Sequence, residues 1–246
     1  MNLFITSSCN GECSHCMSDC KSYGEYMTWS TFKSALKFID GTGSRVVNVT
    51  GGEPSLHPDV CEFIQYAKSK YPKMLFSLIS NGSFIGSEVY TKRLMSLFHI
   101  IQITYDSRFY PHEIDLNHIT KNYPDIATED TIRSVLKMGR AKTNGIELGI
   151  ERESPFCFNM RSIVKISNQS LVSAAQLMEQ KLKFCGWGIK PNGDVTLSES
   201  MLCPTVGNVS MSYDIIVDNV RQFRCMNCIY AVKLNKRGIP YSLIFK

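Results

Sequence analysis

The chain has 246 residues, 43% hydrophobic and 20% charged, with 27 basic against 22 acidic side chains and a formal net charge of +5. That length suits one large α/β unit, or a medium domain with a small appendage, and the composition excludes a chain disordered throughout. No Lys/Arg run exceeds two residues, so nothing supports nucleic acid as the main partner.

The first six residues carry no basic segment followed by an apolar stretch, and nowhere do eighteen apolar residues run together. The reading is a cytoplasmic protein with no membrane partner. Ten cysteines are then the anomaly. Disulfides do not persist in a reducing compartment, and cysteines clustered in sequence there more often bind metal or do redox chemistry.

In chain order, β-rich runs are expected at 3–6, 45–50, 74–79, 99–104 and 146–150. Helical patterns lie between them. The first, over 28–39, puts Phe32, Leu36 and Phe38 on one side with Thr28 as cap. The second, over 58–70, opens on Pro58, which suits a first turn. Two more follow over 88–98 and 128–142, the last with Glu129 and Asp130 where the helix dipole favours acid. Strand and helix alternating at this spacing predict parallel strands with crossover helices, open or closed into part of a barrel.

The pattern changes after about Asn168. A helical stretch over 171–179 leads to Pro191-Asn192-Gly193-Asp194, set between Trp187-Gly188-Ile189 and Val195-Thr196-Leu197. Asn-Gly supplies the positive φ values of a tight turn, so a hairpin is expected. Two domains are therefore drawn, 1–180 and 181–246.

Cys9, Cys13 and Cys16 form C-x-x-x-C-x-x-C directly after the first strand. Three thiolates this close can converge on one soft metal centre, and three leave one iron of a four-iron cluster without a protein ligand. The alternative is a closed zinc or fully ligated cluster site completed by Cys20 or His15. Polar signals also close the next three strands: Gly51-Gly52-Glu53-Pro54, Ser80-Asn81-Gly82 and Thr104-Tyr105-Asp106. The glycines admit close approach of a ligand, and Glu53 offers a carboxylate to an ammonium. In a parallel barrel the carboxyl ends of the strands build the site, so four signals at four successive ends point to one pocket.

Cys9-Asn10-Gly11-Glu12-Cys13-Ser14-His15-Cys16, followed by Gly51-Gly52-Glu53-Pro54, resembles the radical S-adenosylmethionine (SAM) enzymes over roughly residues 1 to 165. The resemblance implies an α/β fold, a partial (β/α)6 TIM-like barrel. It implies that Cys9, Cys13 and Cys16 bind a [4Fe-4S] cluster whose remaining iron is chelated by SAM. It places His15 near the adenine, Gly51, Gly52 and Glu53 at the methionine amino group, and Asn81, Thr104 and Asp106 near SAM, Asp106 being alternatively a surface carboxylate. Gly145-Ile146-Glu147-Leu148-Gly149-Ile150-Glu151-Arg152 keeps the glycines of the family's ribose-contacting run but not its Ile or final Glu positions.

Cys185, Cys203, Cys225 and Cys228 fall in the last quarter of the chain. Four thiolates make a closed site suited to structure or electron transfer, with zinc as the alternative occupant. The segment resembles the twitch and SPASM extensions of radical SAM enzymes, and the cysteine count suits the shorter, twitch-like form with one auxiliary [4Fe-4S] cluster. Ser198 stands where that pattern has a glycine. Cys61 and Cys157 are left as buried core thiols.

The implied activity is reductive cleavage of SAM to a 5′-deoxyadenosyl radical, which removes a hydrogen atom from a substrate. The expected substrate is a peptide, making the enzyme a peptide maturase, with a flavodoxin or ferredoxin as reductant. The alternatives are a small-molecule dehydrogenase acting on a sugar or cyclitol, a glycyl-radical activase, and a non-enzymatic zinc-binding module. A first strand at residue 3 leaves no room for an N-terminal leader-binding domain, which favours a small molecule or a separately recruited peptide.

Overall fold

The computed structural model describes residues 1–132, 135, 138–146, 188–196, 200–202 and 205–222. Five strands run parallel: β1 (Asn2–Thr6), β2 (Val46–Gly51), β3 (Leu75–Ser80), β4 (Ile100–Thr104) and β5 (Ile126–Glu129). On the far side of β1, β6 (Gly188–Ile189) also pairs parallel, and β7 (Asp194–Thr196) and β8 (Thr205–Asn208) follow antiparallel. The sheet order is β5-β4-β3-β2-β1-β6-β7-β8.

One register row explains why these segments pair where they do. Val195, Ile189, Leu3, Val49, Leu78, Ile101 and Ile126 lie opposite one another across seven strands, and all are buried in the main core. A slip of one residue in any strand would turn its apolar set to the other face, so the row fixes the register. On β1, Leu3 and Ile5 join that core, while Phe4 points to the opposite face beside Cys9, Cys20 and Met201. A strand buried on both faces is characteristic of parallel sheets.

Helices α1 (Trp29–Gly41), α2 (Val60–Lys70) and α3 (Glu88–Leu97) cross between the first four strands. Thr28 caps α1 by accepting from Thr31 N at 3.2 Å, and Ser87 caps α3 through Tyr90 N. Phe32 of α1 stacks on Phe63 of α2 with centroids 4.0 Å apart, and Trp29 meets Phe63 edge-on at 4.6 Å. Cys61 is buried in the same core, as its place in a helix suggested.

Between 112 and 146 the structure departs from the elements expected from sequence. Where a helix was expected over 128–142, β5 occupies Ile126–Glu129, and the short α5 spans only Gly139–Thr143. Helix α4 (Leu116–Asn122), capped by Asp115, was not foreseen. Ile126 is the reason: one buried apolar residue, aligned with Ile101, suffices to dock a short edge strand. The acidic pair read as a helix start instead ends β5, with Glu129 O accepting from Tyr105 N. Ile146 is not in a strand, and the rest of the expected 146–150 strand lies outside the described residues. The expected hairpin is present as β6 and β7, with Gly193 at φ +87 in its turn. Helix α6 (Tyr213–Gln222) packs its Ile216 into the core.

Candidate active site

The segment linking β1 to α1 folds back on itself. Met27 N donates to Ile5 O, Ser7 N to Glu25 O and Cys9 N to Lys21 O, so the loop leaves and returns at the carboxyl end of β1. Beyond the carboxyl ends of β1 to β4 lies a cavity of about 190 Å³. Cys9, Cys13, Cys16, His15, Gly51, Gly52, Asn81 and Thr104 all line it. Ten residues on the described part of the chain carried that expectation, these eight with Glu53 and Asp106, which do not line the cavity; Cys20, read only as a ligand of the alternative closed site, does line it.

Cys9, Cys13 and Cys20 are buried and Cys16 half-buried. Gly11 N donates to Cys9 Sγ at 3.3 Å, and Cys20 N donates to Cys16 Sγ at 3.4 Å. A Cβ on Gly11 would lie 3.2 Å from Cys13 Sγ and 3.6 Å from Cys9 Sγ, which places those two sulfurs on one side of the turn. Burial pushes the Cys9 thiol up and the Cys13 thiol up to about 12. Hydrogen bonding from the Cys20 thiol holds Cys16 below the ordinary range. The positive charge of Arg140 favours the thiolate form at all four positions. Among the described residues no three His, Cys, Asp or Glu side chains close around a single ion; the thiols rim the cavity instead.

Gly51 and Gly52, besides lining the cavity, also permit a close approach within the protein. A Cβ on Gly51, at φ +147, would sit 2.2 Å from Thr6 O, and one on Gly52 would sit 2.1 Å from Ser8 O. The close contact is between the end of β2 and the backbone entering the cysteine loop, held by Gly52 N donating to Thr6 O and Glu53 N to Ser8 O, both at 2.8 Å. Glu53 itself is fully buried. Its Oε1 accepts from Ser55 N at 3.0 Å and Ser80 Oγ at 2.8 Å, and its Oε2 accepts from Asn81 N at 2.8 Å. Burial pushes its carboxyl up.

Asp106 is also buried. The Arg108 guanidinium binds both its oxygens, at 2.9 and 2.6 Å, and Ile132 N donates to Oδ2 at 2.9 Å. The Arg108 hydrogen bonds hold this carboxyl well below the usual carboxylate range. It is no surface group: it ties the end of β4 to the segment after β5. Thr104 Oγ1 lies 3.3 Å from the Tyr110 hydroxyl. His15 packs against Phe109 and Tyr110, with centroids at 5.2 and 5.3 Å. Burial lowers its pKa to about 4, so the ring is neutral at pH 7, and its Nδ1 is buried without a partner among the described residues.

Five positions were not foreseen from the sequence. Asn10, inside the motif, accepts from Asn81 Nδ2 at 2.9 Å. Tyr110 lines the cavity, and the Phe109-Tyr110-Pro111 run just past a strand end was its signal. Arg140 contacts the cysteine loop and carries no motif that could have flagged it. Ser200 and Met201 bind Met17 O and Ser18 Oγ, at 2.7 and 3.0 Å. Cys185, Cys203, Cys225, Cys228 and Cys157 lie outside the described residues, as does the 145–152 run beyond Ile146. Among the described residues no helix is long and apolar enough to cross a membrane.

A family model described as the radical SAM superfamily matches residues 3–145. The chain is 32% identical over 106 residues to an S-adenosylmethionine-dependent nucleotide dehydratase of Thermoplasmatales archaeon (strain ISO4-H5), covering 43% of this chain and 37% of that one. It is 32% identical over 104 residues to the mycofactocin maturase MftC of Mycobacterium tuberculosis, covering 42% of this chain and 26% of the relative. An Fe-coproporphyrin III synthase of Methanosarcina barkeri is 29% identical over 257 residues, 98% of this chain and 53% of its own. The chain thus spans only part of each relative's length. Among solved structures, BtrN in complex with AdoMet and 2-DOIA superposes with a TM-score of 0.58 at 12% identity, covering 100% of this chain and 90% of that one. Streptococcus suis SuiB bound to precursor peptide SuiA gives 0.55 at 10% identity, covering 92% and 67%. At such identities the likeness is one of fold, and it fits the parallel α/β sheet described above.

Proposed function

Because the chain belongs to the radical SAM superfamily, whose members use a [4Fe-4S] cluster and SAM, we propose that its strand-end cavity is the active site of an enzyme removing a hydrogen atom from a peptide. The donor set fits. Four thiols rim one cavity, Cys20 beside the three of the motif, and thiolates are the ligands that hold an iron-sulfur cluster. Cys9, Cys13 and Cys16 would hold the cluster and leave one iron for SAM. When bound, the two together supply a 5′-deoxyadenosyl radical, and the protein's task is to position and to exclude competing reactions.

Each lining residue has a part in that task. His15, neutral and packed on Phe109 and Tyr110 at the cavity wall, offers its ring to the adenine. Asn81, fixed at its backbone by Glu53 and at its side chain by Asn10, lines the rim beside Cys9, its Nδ2 4.0 Å from Cys9 Sγ, and Thr104 lines the same cavity. Glu53, with 0% exposure, acts through Asn81 and Ser80, holding the ends of β2 and β3 at fixed separation. Asp106 acts in the same way on the loop that carries Phe109 and Tyr110.

The remaining assignments extend this reading. The first unit is 1–180, and 181–246 is a twitch-like unit in which Cys185, Cys203, Cys225 and Cys228 hold an auxiliary [4Fe-4S] cluster. The β6–β7 hairpin lies within the second unit's bounds and continues the sheet at β1. A flavodoxin or ferredoxin supplies electrons. A peptide substrate is supported by the similarity to a maturase and to a fold solved with a precursor peptide. The second reading, a small-molecule substrate, is supported by the fold likeness to BtrN, solved in complex with AdoMet and 2-DOIA. The observation that carries the proposal is the set of three thiols and His15 around one cavity at the ends of parallel strands. Deuterium carried from a labelled peptide into 5′-deoxyadenosine supports it; transfer from a polyol and none from peptides moves the assignment to the second reading.

A further inference from the structure

The cysteine loop is braced chiefly by one residue of a five-residue helix. Gly139 opens α5 at φ +52, so close to the loop that a Cβ there would lie 2.7 Å from Cys16 O. The next residue makes most of the contacts, and Asn144 at the other end of the helix adds one, its Nδ2 donating to Ser14 O at 2.9 Å. Arg140 N donates to Cys16 O at 3.0 Å, Nε to Cys13 O at 3.0 Å, and Nη1 to Cys20 O at 2.7 Å and Asp19 Oδ1 at 3.0 Å. Three cysteine carbonyls thus converge on one residue, those of Cys13 and Cys20 on its side chain and that of Cys16 on its backbone N–H. The planar fork of a guanidinium can hold several acceptors at fixed angles, which an ammonium cannot. Nη2 is buried and without a partner among the described residues.

The charge there is permanent, since a guanidinium does not deprotonate in proteins. Asp19 is its counter-charge, with a side chain 38% exposed against 22% for Arg140. Asp19 stands at φ +51, a left-handed conformation that Asn tolerates as well as Asp. The reduction potential of an iron-sulfur cluster follows net charge and hydrogen bonding around the sulfurs. Adding an electron makes the site more negative, and a nearby fixed cation favours that state.

On the reading that Cys9, Cys13 and Cys16 hold a [4Fe-4S] cluster, we propose that Arg140 is a positioning residue that sets the curvature of the cysteine loop and, as a cation behind the thiolates, stabilises the reduced cluster, with Asp19 opposing it. A purely structural brace would lower cluster retention when removed and leave the potential of any loaded fraction where it was. An electrostatic one moves the potential, and moves it in opposite directions for the two charges.

The test is a redox titration of the anaerobically reconstituted full chain, followed by electron paramagnetic resonance, with iron counted per chain. The signal of the first site is identified by its change on adding SAM. For Arg140→Gln the ratio of reduced to oxidised cluster at a fixed potential is expected to fall about tenfold, equivalent to about 59 mV for one electron. Asp19→Asn is expected to raise it. Arg140→Lys keeps the charge and loses the fork, so it should hold the potential near wild type while losing iron faster to a chelator. Should Arg140→Gln fail to load, Asp19→Asn decides: an unmoved potential overturns the proposal. Loaded Arg140→Gln and Asp19→Asn proteins that both titrate like wild type overturn the proposal alone. A wild-type chain that takes up no iron overturns the cluster reading and this inference with it.

Discussion

Asn81 N donates to Glu53 Oε2 at 2.8 Å, joining the end of β3 to the end of β2 beneath the cavity. The same carboxylate takes Ser55 N and Ser80 Oγ on its other oxygen. A fully buried acid accepting three hydrogen bonds leaves a costly gap when changed, because its donors have no water to turn to. Glu53→Gln places an amide donor against a backbone donor. It should destabilise the fold by about 1–3 kcal/mol in denaturant unfolding and weaken SAM binding through the displaced Asn81. Unchanged stability and unchanged binding together would dismiss the wall role assigned to Glu53.

Asp106 sets a pH dependence. Arg108 and Ile132 N hold its carboxyl below its unfolded value, so the folded state gives up its proton more readily than the unfolded one. The stabilisation is fully present above the unfolded pKa of about 3.9 and is lost as pH falls below it toward the folded value. Asp106→Asn should cost about 1–3 kcal/mol at pH 7, and the gap to wild type should narrow below about pH 4. A gap that stays constant on acidification contradicts this role.

Gly52 has no room for a side chain. A Cβ 2.1 Å from Ser8 O meets backbone, which cannot swing aside. Gly52→Ala should cost about 1–3 kcal/mol as an overpacked contact and lower iron uptake, since the strain falls on the entry to the cysteine loop. Thermal unfolding and iron content at wild-type levels would place the contact elsewhere.

His15 faces the cavity as a neutral ring. His15→Ala removes the ring and its unpartnered Nδ1, and SAM binding should weaken about tenfold, or about 1.4 kcal/mol, with iron content retained. Equal affinity by calorimetry would remove His15 from the adenine site.

Much of the site could be read from the sequence because its signals are local. The spacing of Cys9, Cys13 and Cys16, the glycines at the end of β2 and the polar closures of β3 and β4 each lie within a few residues of a strand end, and eight of the residues they nominated line one cavity. The strands were legible because Val47, Val49, Phe76, Leu78, Ile101 and Ile103 alternate with more exposed neighbours. What escaped depends on distance in sequence. β5 is held by the row ending at Ile126, and Arg140 reaches Cys13 across 127 positions. The chemistry of Glu53 and Asp106 was sensed, but not their burial. A carboxylate at a strand end reads alike whether it faces a ligand or its own backbone, and only the partners Ser55, Ser80, Asn81, Arg108 and Ile132 separate the two.

The most direct test of the central claim is iron and sulfide per chain after anaerobic reconstitution, with 5′-deoxyadenosine assayed in the same sample after reduction with SAM. The account predicts about eight irons, from two four-iron clusters, SAM cleavage in the wild type, and no cleavage in Cys13→Ala. Bound zinc without cleavage, or cleavage that survives Cys13→Ala, would contradict it.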